Sequence, residues 1–218
     1  MVLSHGNIFG PEIRSSKRGK LELCRAPVAA TSPGQLRRLA SVRECHLSLR
    51  QLALRAVREG SGQLVLREIE DRDLGVLFEH SSDREAIRMA AFTSPEADDR
   101  TNFERRWARL RSDGSTTNRV VEIDGRVVGH IASFDLEGHR EVTYWIGRED
   151  WGRGIATRAL QEFLQLEATR PPYAHAASDN AASIRVLTKC GFLIVGEGRG
   201  FAHGRNEETD EVVLRLDA

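Results

Sequence analysis

The sequence predicts an α+β fold: a mixed, mostly antiparallel sheet flanked by helices on both faces, preceded by a basic N-terminal extension. Short runs of β-branched and aromatic residues follow one another across turns too tight for a crossover, which demands antiparallel pairing. Between other such runs, apolar residues fall at three- and four-residue spacings, the mark of helices with one buried face. Charge then divides the chain. Residues 1–60 carry 11 Arg/Lys against 4 Asp/Glu, whereas residues 61–218 carry 21 against 28, so a net charge of zero conceals two unlike regions. The expected organisation is a basic extension over 1–60 and one domain over 61–218.

Bulk properties narrow the class. With 29% charged and 40% hydrophobic residues the composition is that of a soluble globular protein. No apolar run approaches the roughly 18 residues of a membrane span, and the first twenty residues lack the apolar core of a secretion signal. Cys24, Cys45 and Cys190 form no CxxC pair, so reduced thiols, a cytoplasmic setting and no metal site are expected. Lysine occurs only at 17, 20 and 189. So strong an arginine bias, beside abundant alanine, reflects coding composition, and no nucleic-acid partner is expected.

Residues 1–34 show no periodicity. From 35 to 58 apolar residues recur at helical spacing among arginines, as in an appended helix, a membrane-surface helix or a targeting segment; a downstream translation start would instead leave this region outside the native protein. At Leu64 the texture changes: LVLREI alternates as a first strand. A short helix is expected over Asp71–His80, capped by Asp71, then a loop over 90–95, then a helix from about Glu96 to Leu110. In that helix Phe103, Trp107 and Leu110 form the buried stripe and Arg105, Arg106 and Arg109 the outer face. Asn118–Ile123 and Arg126–Phe134 are strands joined by Asp124-Gly125, a strong hairpin signal. Arg140–Gly147 completes a meander. A helix to about Ala168, with Ile155, Ala159, Leu160, Phe163 and Leu166 inward, is followed by a strand over Tyr173–Ala177. A helix over Asn180–Cys190 and strands over Phe192–Gly198 and Glu211–Leu216 close the chain.

The sharpest local feature is the passage from strand to helix in YWIGREDWGRGIATRAL, residues 144–160. Gly152, Gly154 and Ala156 alternate in a compact turn, where glycine takes φ > 0 without steric cost. Free N–H groups at the helix start then form an anion site, and a phosphate-bearing cofactor is the expectation. Neither GxGxxG nor GxxxxGK[ST] is present.

The turn Trp151-Gly152-Arg153-Gly154-Ile155-Ala156, the flanking EVTYWIG and ATRAL, and the later Asn180-Ala181-Ala182-Ser183 and Lys189-Cys190-Gly191-Phe192 together resemble the GNAT acyl-CoA-dependent N-acyltransferases. They are most like the branch of ribosomal-protein N-terminal alanine and serine acetyltransferases. Trp151 stands where that turn usually has Gln or Arg. The resemblance covers about 64–218. It implies acetyl-CoA as co-substrate and a primary amine as acceptor, by direct attack in a ternary complex of a monomer or homodimer. It also implies cofactor-binding roles for Trp145, Ile146 and Gly147, where the pantetheine arm pairs as a pseudo-strand. The same role falls to Trp151, Gly152, Arg153, Gly154, Ile155, Ala156 and Thr157 around the pyrophosphate, and to Asn180 and Ser183 near the arm. Asn180 is otherwise a helix N-cap, and Ser183 a small helix residue.

For acid–base chemistry, the tyrosine many such enzymes place four residues before the GF glycine is here Leu187. Glu141 is the expected base, and Ser183 or a water a substitute acid. Alternatively, Glu141 is a strand-edge glutamate facing solvent or an arginine. His130, His139, His175 and His203 occupy no motif position and read as structural or exposed, and Cys190 as packed. Deprotonating a lysine-type amine at pH 7 costs about 4–5 kcal/mol, an α-amine about 1–1.4 kcal/mol, so weakly basic amines are favoured. The acidic balance of 61–218 suits a cationic acceptor. The alternative is a non-catalytic acyl-CoA sensor of the same fold.

Overall fold

The structure is a computed structural model that describes residues 2–3, 62–95 and 98–217. The expected extension, with its helix at 35–58, lies outside the described residues apart from Val2–Leu3. The strands are β1 (Val2–Leu3), β2 (Leu64–Arg67), β3 (Thr117–Ile123), β4 (Arg126–Leu136), β5 (His139–Ile146), β6 (Pro172–Ala177), β7 (Leu193–Ala202) and β8 (Glu207–Arg215). Helices α1 (Leu74–Ser82), α2 (Arg84–Ala90) and α3 (Arg100–Ser112) lie between β2 and β3; α4 (Ile155–Leu166) follows β5, and α5 (Ala181–Lys189) follows β6. Strand order is β2-β3-β4-β5-β6-β8-β7, with β1 additionally against β5. Every pairing is antiparallel except β5 with β6.

Turn chemistry sets the meander. Asp124 and Gly125 both take positive φ, as do Glu137 and Gly138, the two-residue geometry whose twist matches the flanking strands. Even-numbered residues of β5 point to one face, where Val142, Tyr144 and Ile146 pack with Ile155, Ala159, Leu160 and Phe163 of α4 and Val186 and Leu187 of α5. Fully burying a side chain such as Phe163 stabilises by about 1.5–3 kcal/mol. On the other face Leu77, Phe103, Trp107 and Val120 form a second cluster, and Trp145 packs on Ala86 and Ala90 of α2.

Four details differ from expectation. The Asp71–His80 segment is a 3-10 turn, Asp71–Asp73, capped by Glu70, before α1 begins at Leu74. An additional helix, α2, follows at once, because Asp83 ends α1 and its carboxylate accepts the Ala86 N–H at 2.9 Å to start the next. On α3 Arg106 is half-buried, its guanidinium folded over the Phe103 ring. On α4 Leu166 is 56% exposed, and Ala156 and Leu164 complete the buried face.

Candidate active site

The site is organised by the parting of β5 from β6. The two pair only at Arg140–Pro172 and Glu141–Tyr173, so the rest of that edge of β5 is left by β6. Its chemistry follows from parity. The Gly147 N–H donates to Val128 O on β4, and in an antiparallel ladder bonding direction alternates. The backbone of Trp145 and Gly147 is therefore directed at β4, and that of Tyr144 and Ile146 at the parted edge. The edge accepts a strand: β1 pairs there in antiparallel register, Val2 with Trp145 and Leu3 with Tyr144. Of the three residues expected to meet the pantetheine arm, Ile146 offers its N–H to this edge. Its carbonyl accepts the Trp151 indole N–H at 2.7 Å. Trp145 instead fixes the opposite face, its indole donating to His80 O at 2.9 Å. Gly147 is confined by His80, since an added Cβ would lie 2.6 Å from Nε2.

After β5 the chain makes a 3-10 turn, Arg148–Asp150, and enters the glycine turn. Gly152 and Gly154 have φ of 76° and 74°, conformations that cost a residue with Cβ roughly 1–2 kcal/mol. Gly154 occupies the N-cap of α4, and the first helical bond there runs from Arg158 N to Gly154 O. The N–H groups of Ile155, Ala156 and Thr157 precede that bond and have no acceptor within the helix. Asp150 anchors the turn from beneath. Burial pushes its pKa up, but the bidentate Arg126 pair at 2.8 and 2.7 Å and a further bond from Arg153 outweigh this and hold it below the usual carboxylate range. Its negative charge is thus already compensated.

A cavity of about 280 Å³ opens over this turn, lined by Ile146, Asp150, Trp151, Gly152, Gly154, Ile155, Ala156 and Thr157 from one side and by Ala182, Arg185, Val186 and Lys189 of α5 from the other. Arg185 and Lys189, one helical turn apart and exposed, add two cations to the N-terminal end of α4. The sequence marks them only as a basic pair at i, i+4 on α5, the helix after β6.

Asn180 is the N-cap of α5: its Oδ1 accepts the Ser183 N–H at 3.1 Å and its Nδ2 donates to Met89 O at 3.2 Å. Ser183 is fully buried, and its carbonyl lies 3.5 Å from the Tyr144 hydroxyl on the core face. Glu141, odd-numbered on β5, projects to the opposite face. The two residues expected to share acid–base chemistry therefore do not meet. Glu141 is 4% exposed, with Oε1 3.4 Å from His175 Nε2 and Oε2 buried without a hydrogen-bond partner.

Several other positions weighed for acid–base or nucleophilic chemistry are poor candidates. Leu187 is wholly buried in the core. Burial lifts the Cys190 thiol to about 11, which suppresses the thiolate. His130 is buried edge-on to Trp107, and burial, with Arg106 adding to it, lowers its pKa to about 3. His139 rests on Tyr173 and His203 on Phe201.

The family model for an acetyltransferase (GNAT) domain matches residues 63–193. No curated protein sequence matches the chain. Among solved structures, a spermidine N-acetyltransferase from Vibrio cholerae in complex with CoA and spermine is 20% identical with a TM-score of 0.60, covering 71% of this chain and 95% of its own. An acetyltransferase of Bacillus anthracis is 21% identical with a TM-score of 0.60 over 72% and 95%. A ribosomal-protein-alanine N-acetyltransferase from Brucella melitensis is 21% identical with a TM-score of 0.60 over 71% and 99%. At these identities the likeness is one of fold.

Proposed function

This chain belongs to the acetyltransferase (GNAT) family, and we propose that it transfers an acetyl group from acetyl-CoA to a primary amine, a peptide N-terminus or a small-molecule amine, in a ternary complex. One observation carries the reading: the cavity where the Gly152–Gly154 turn, the unbonded first turn of α4 and the cations Arg185 and Lys189 converge beside the parted edge of β5. Backbone donors, a helix N-terminus and two flexible cations make a site for a pyrophosphate, which acetyl-CoA carries. Its amide-bearing arm suits an edge that already accepts a strand at Tyr144 and Trp145.

Acetyl-CoA supplies the acetyl group as a thioester. The N–H groups that Tyr144 and Ile146 direct at the edge are the donors available to a developing oxyanion. Glu141 is the base that takes the proton released by the attacking amine. Ser183, buried on the other face, is given no part in proton transfer, and direct attack requires nothing of Cys190. The relatives whose names specify spermidine and a ribosomal protein alanine act on amines, which supports the acceptor class.

Calorimetric titration with acetyl-CoA, followed by thiol release over a panel of peptide N-termini, polyamines, aminoglycosides and amino acids, tests the proposal. Binding with release on at least one acceptor is expected; absence of binding refutes it. Leu187, where a leaving-group acid is often placed, favours the sensor reading, for which binding without release on any amine is the signature.

A further inference from the structure

Opposite α4 and α5, the buried polar groups of the sheet converge on His175. From β6 its Nε2 lies 3.4 Å from Glu141 Oε1 on β5, and its Nδ1 3.4 Å from Glu211 Oε2 on β8. The register places the three on adjacent strands, Glu141 beside Tyr173 and His175 two residues before Ala177, the partner of Glu211. A neutral imidazole has one N–H and can serve only one of two flanking carboxylates; an imidazolium serves both. Burial opposes that charge, but the hydrogen bonds and charges of Glu141 and Glu211, the carboxyl groups facing the ring, outweigh it and raise its pKa to about 9. The raised value keeps the imidazolium predominant near neutrality. Within the cluster Glu141 Oε2 is buried without a hydrogen-bond partner, whereas Glu211 Oε2 faces His175 Nδ1.

Resting on the proposed role of Glu141 as base, we propose that His175 is a positioning residue for acetyl transfer: braced by Glu211, it holds Glu141 through Oε1 and leaves Oε2 to receive the proton of the acceptor amine, directly or through one water. As the N–C bond forms and the C–S bond breaks, that proton passes from the amine nitrogen to Oε2, and the C–S electron pair leaves with the CoA sulfur. Sequence reading set His175 aside because it lies in no motif; only the pairing of β5, β6 and β8 brings its partners together.

The test uses the full chain with acetyl-CoA and the best acceptor of the panel. His175→Gln, which keeps a hydrogen-bonding side chain without the charge, is expected to lower kcat about tenfold or more, with the acetyl-CoA Kd changed less than about twofold, within the additivity of distant sites. In the wild type kcat is expected to show an alkaline limb at about 9, where His175 loses its proton. That limb should vanish in His175→Gln and move to lower pH in Glu211→Gln, where one of the two supporting anions is gone. The second variant leaves the imidazole in place, so a folding defect in the first does not decide the matter. A wild-type enzyme active on the panel whose pH profile is unchanged in both variants overturns the positioning role alone. If Glu141→Gln retains the wild-type kcat, the base assignment falls and this inference with it.

Discussion

The two ends of the proposed site are built from different materials. At the cofactor end the proposed ligands are mostly backbone: the glycine turn, the first turn of α4 and the Ile146 N–H, with Arg185 and Lys189 as side-chain cations. At the acceptor end nearly everything is side chain, with Glu141, His175 and Glu211 drawn from three strands. Backbone donors are held by secondary structure and tolerate changes of side chain, as Trp151 in place of Gln or Arg illustrates. A side-chain cluster depends on every member. The cofactor end should therefore fail only when the backbone is blocked, and the acceptor end when a single functional group is altered.

The largest expected effects separate the ends. Glu141→Gln should lower kcat by about 10²–10³-fold, the scale of a lost general base, while acetyl-CoA binds as before. Gly154→Glu should do the reverse in kind. It forces a side chain into the left-handed region at φ 74° and sets a carboxylate beside helix N–H groups meant for an anion. An acetyl-CoA Kd weakened about 100-fold or more is expected, a loss built from backbone strain of roughly 1–2 kcal/mol and like-charge repulsion. Calorimetry for Kd and steady-state kinetics for kcat check both. If Glu141→Gln weakened acetyl-CoA as strongly as Gly154→Glu, the division between the ends would be wrong.

A smaller effect sharpens the comparison within the cofactor end. Arg185→Ala and Lys189→Ala remove exposed cations that reach the cavity from α5. Each should weaken acetyl-CoA by about 3–10-fold, the scale of a solvent-screened charged hydrogen bond. Because exposed charges are screened, the loss should shrink as salt rises, whereas that of Gly154→Glu, largely conformational, should persist. Titrations of all three variants at two salt concentrations decide it.

The same contrast explains what the sequence disclosed. The hairpin at Asp124-Gly125 and the turn at Gly152–Gly154 were legible because positive φ selects particular residues at particular spacings. The cofactor end inherits that legibility. Helix α2 was not legible: Asp83 ends one helix and caps the next within a single residue, so the helical pattern shows no loop between them. Leu166 was placed inward on α4 by period alone, yet it stands 56% exposed in the final turn, where the packed face has already ended. His175 and Glu211 lie 36 residues apart and meet Glu141 only through sheet order, which no local pattern encodes. Ser183 shows the converse. Its spacing from Asn180 is that of a helix cap, and the cap explains it: Asn180 accepts the Ser183 N–H.

The smallest expected effect concerns the edge that joins the two ends. β1 lies against β5 at Tyr144 and Trp145, on the edge where the arm of acetyl-CoA is proposed to pair. Two strands cannot share one edge, so any stability of that pairing is subtracted from the affinity for acetyl-CoA. Parity makes Leu3 and Tyr144 the residues that exchange hydrogen bonds, because the Tyr144 backbone is directed away from β4. Leu3→Pro deletes the N–H of that pair. A net backbone hydrogen bond contributes about 0.5–1.5 kcal/mol, which sets the gain at about 2–10-fold tighter binding of acetyl-CoA. A change in Kd with unaltered kcat is expected, since β1 acts on occupancy of the edge and not on Glu141. Weaker binding in Leu3→Pro would mean that β1 supports the edge instead of competing for it.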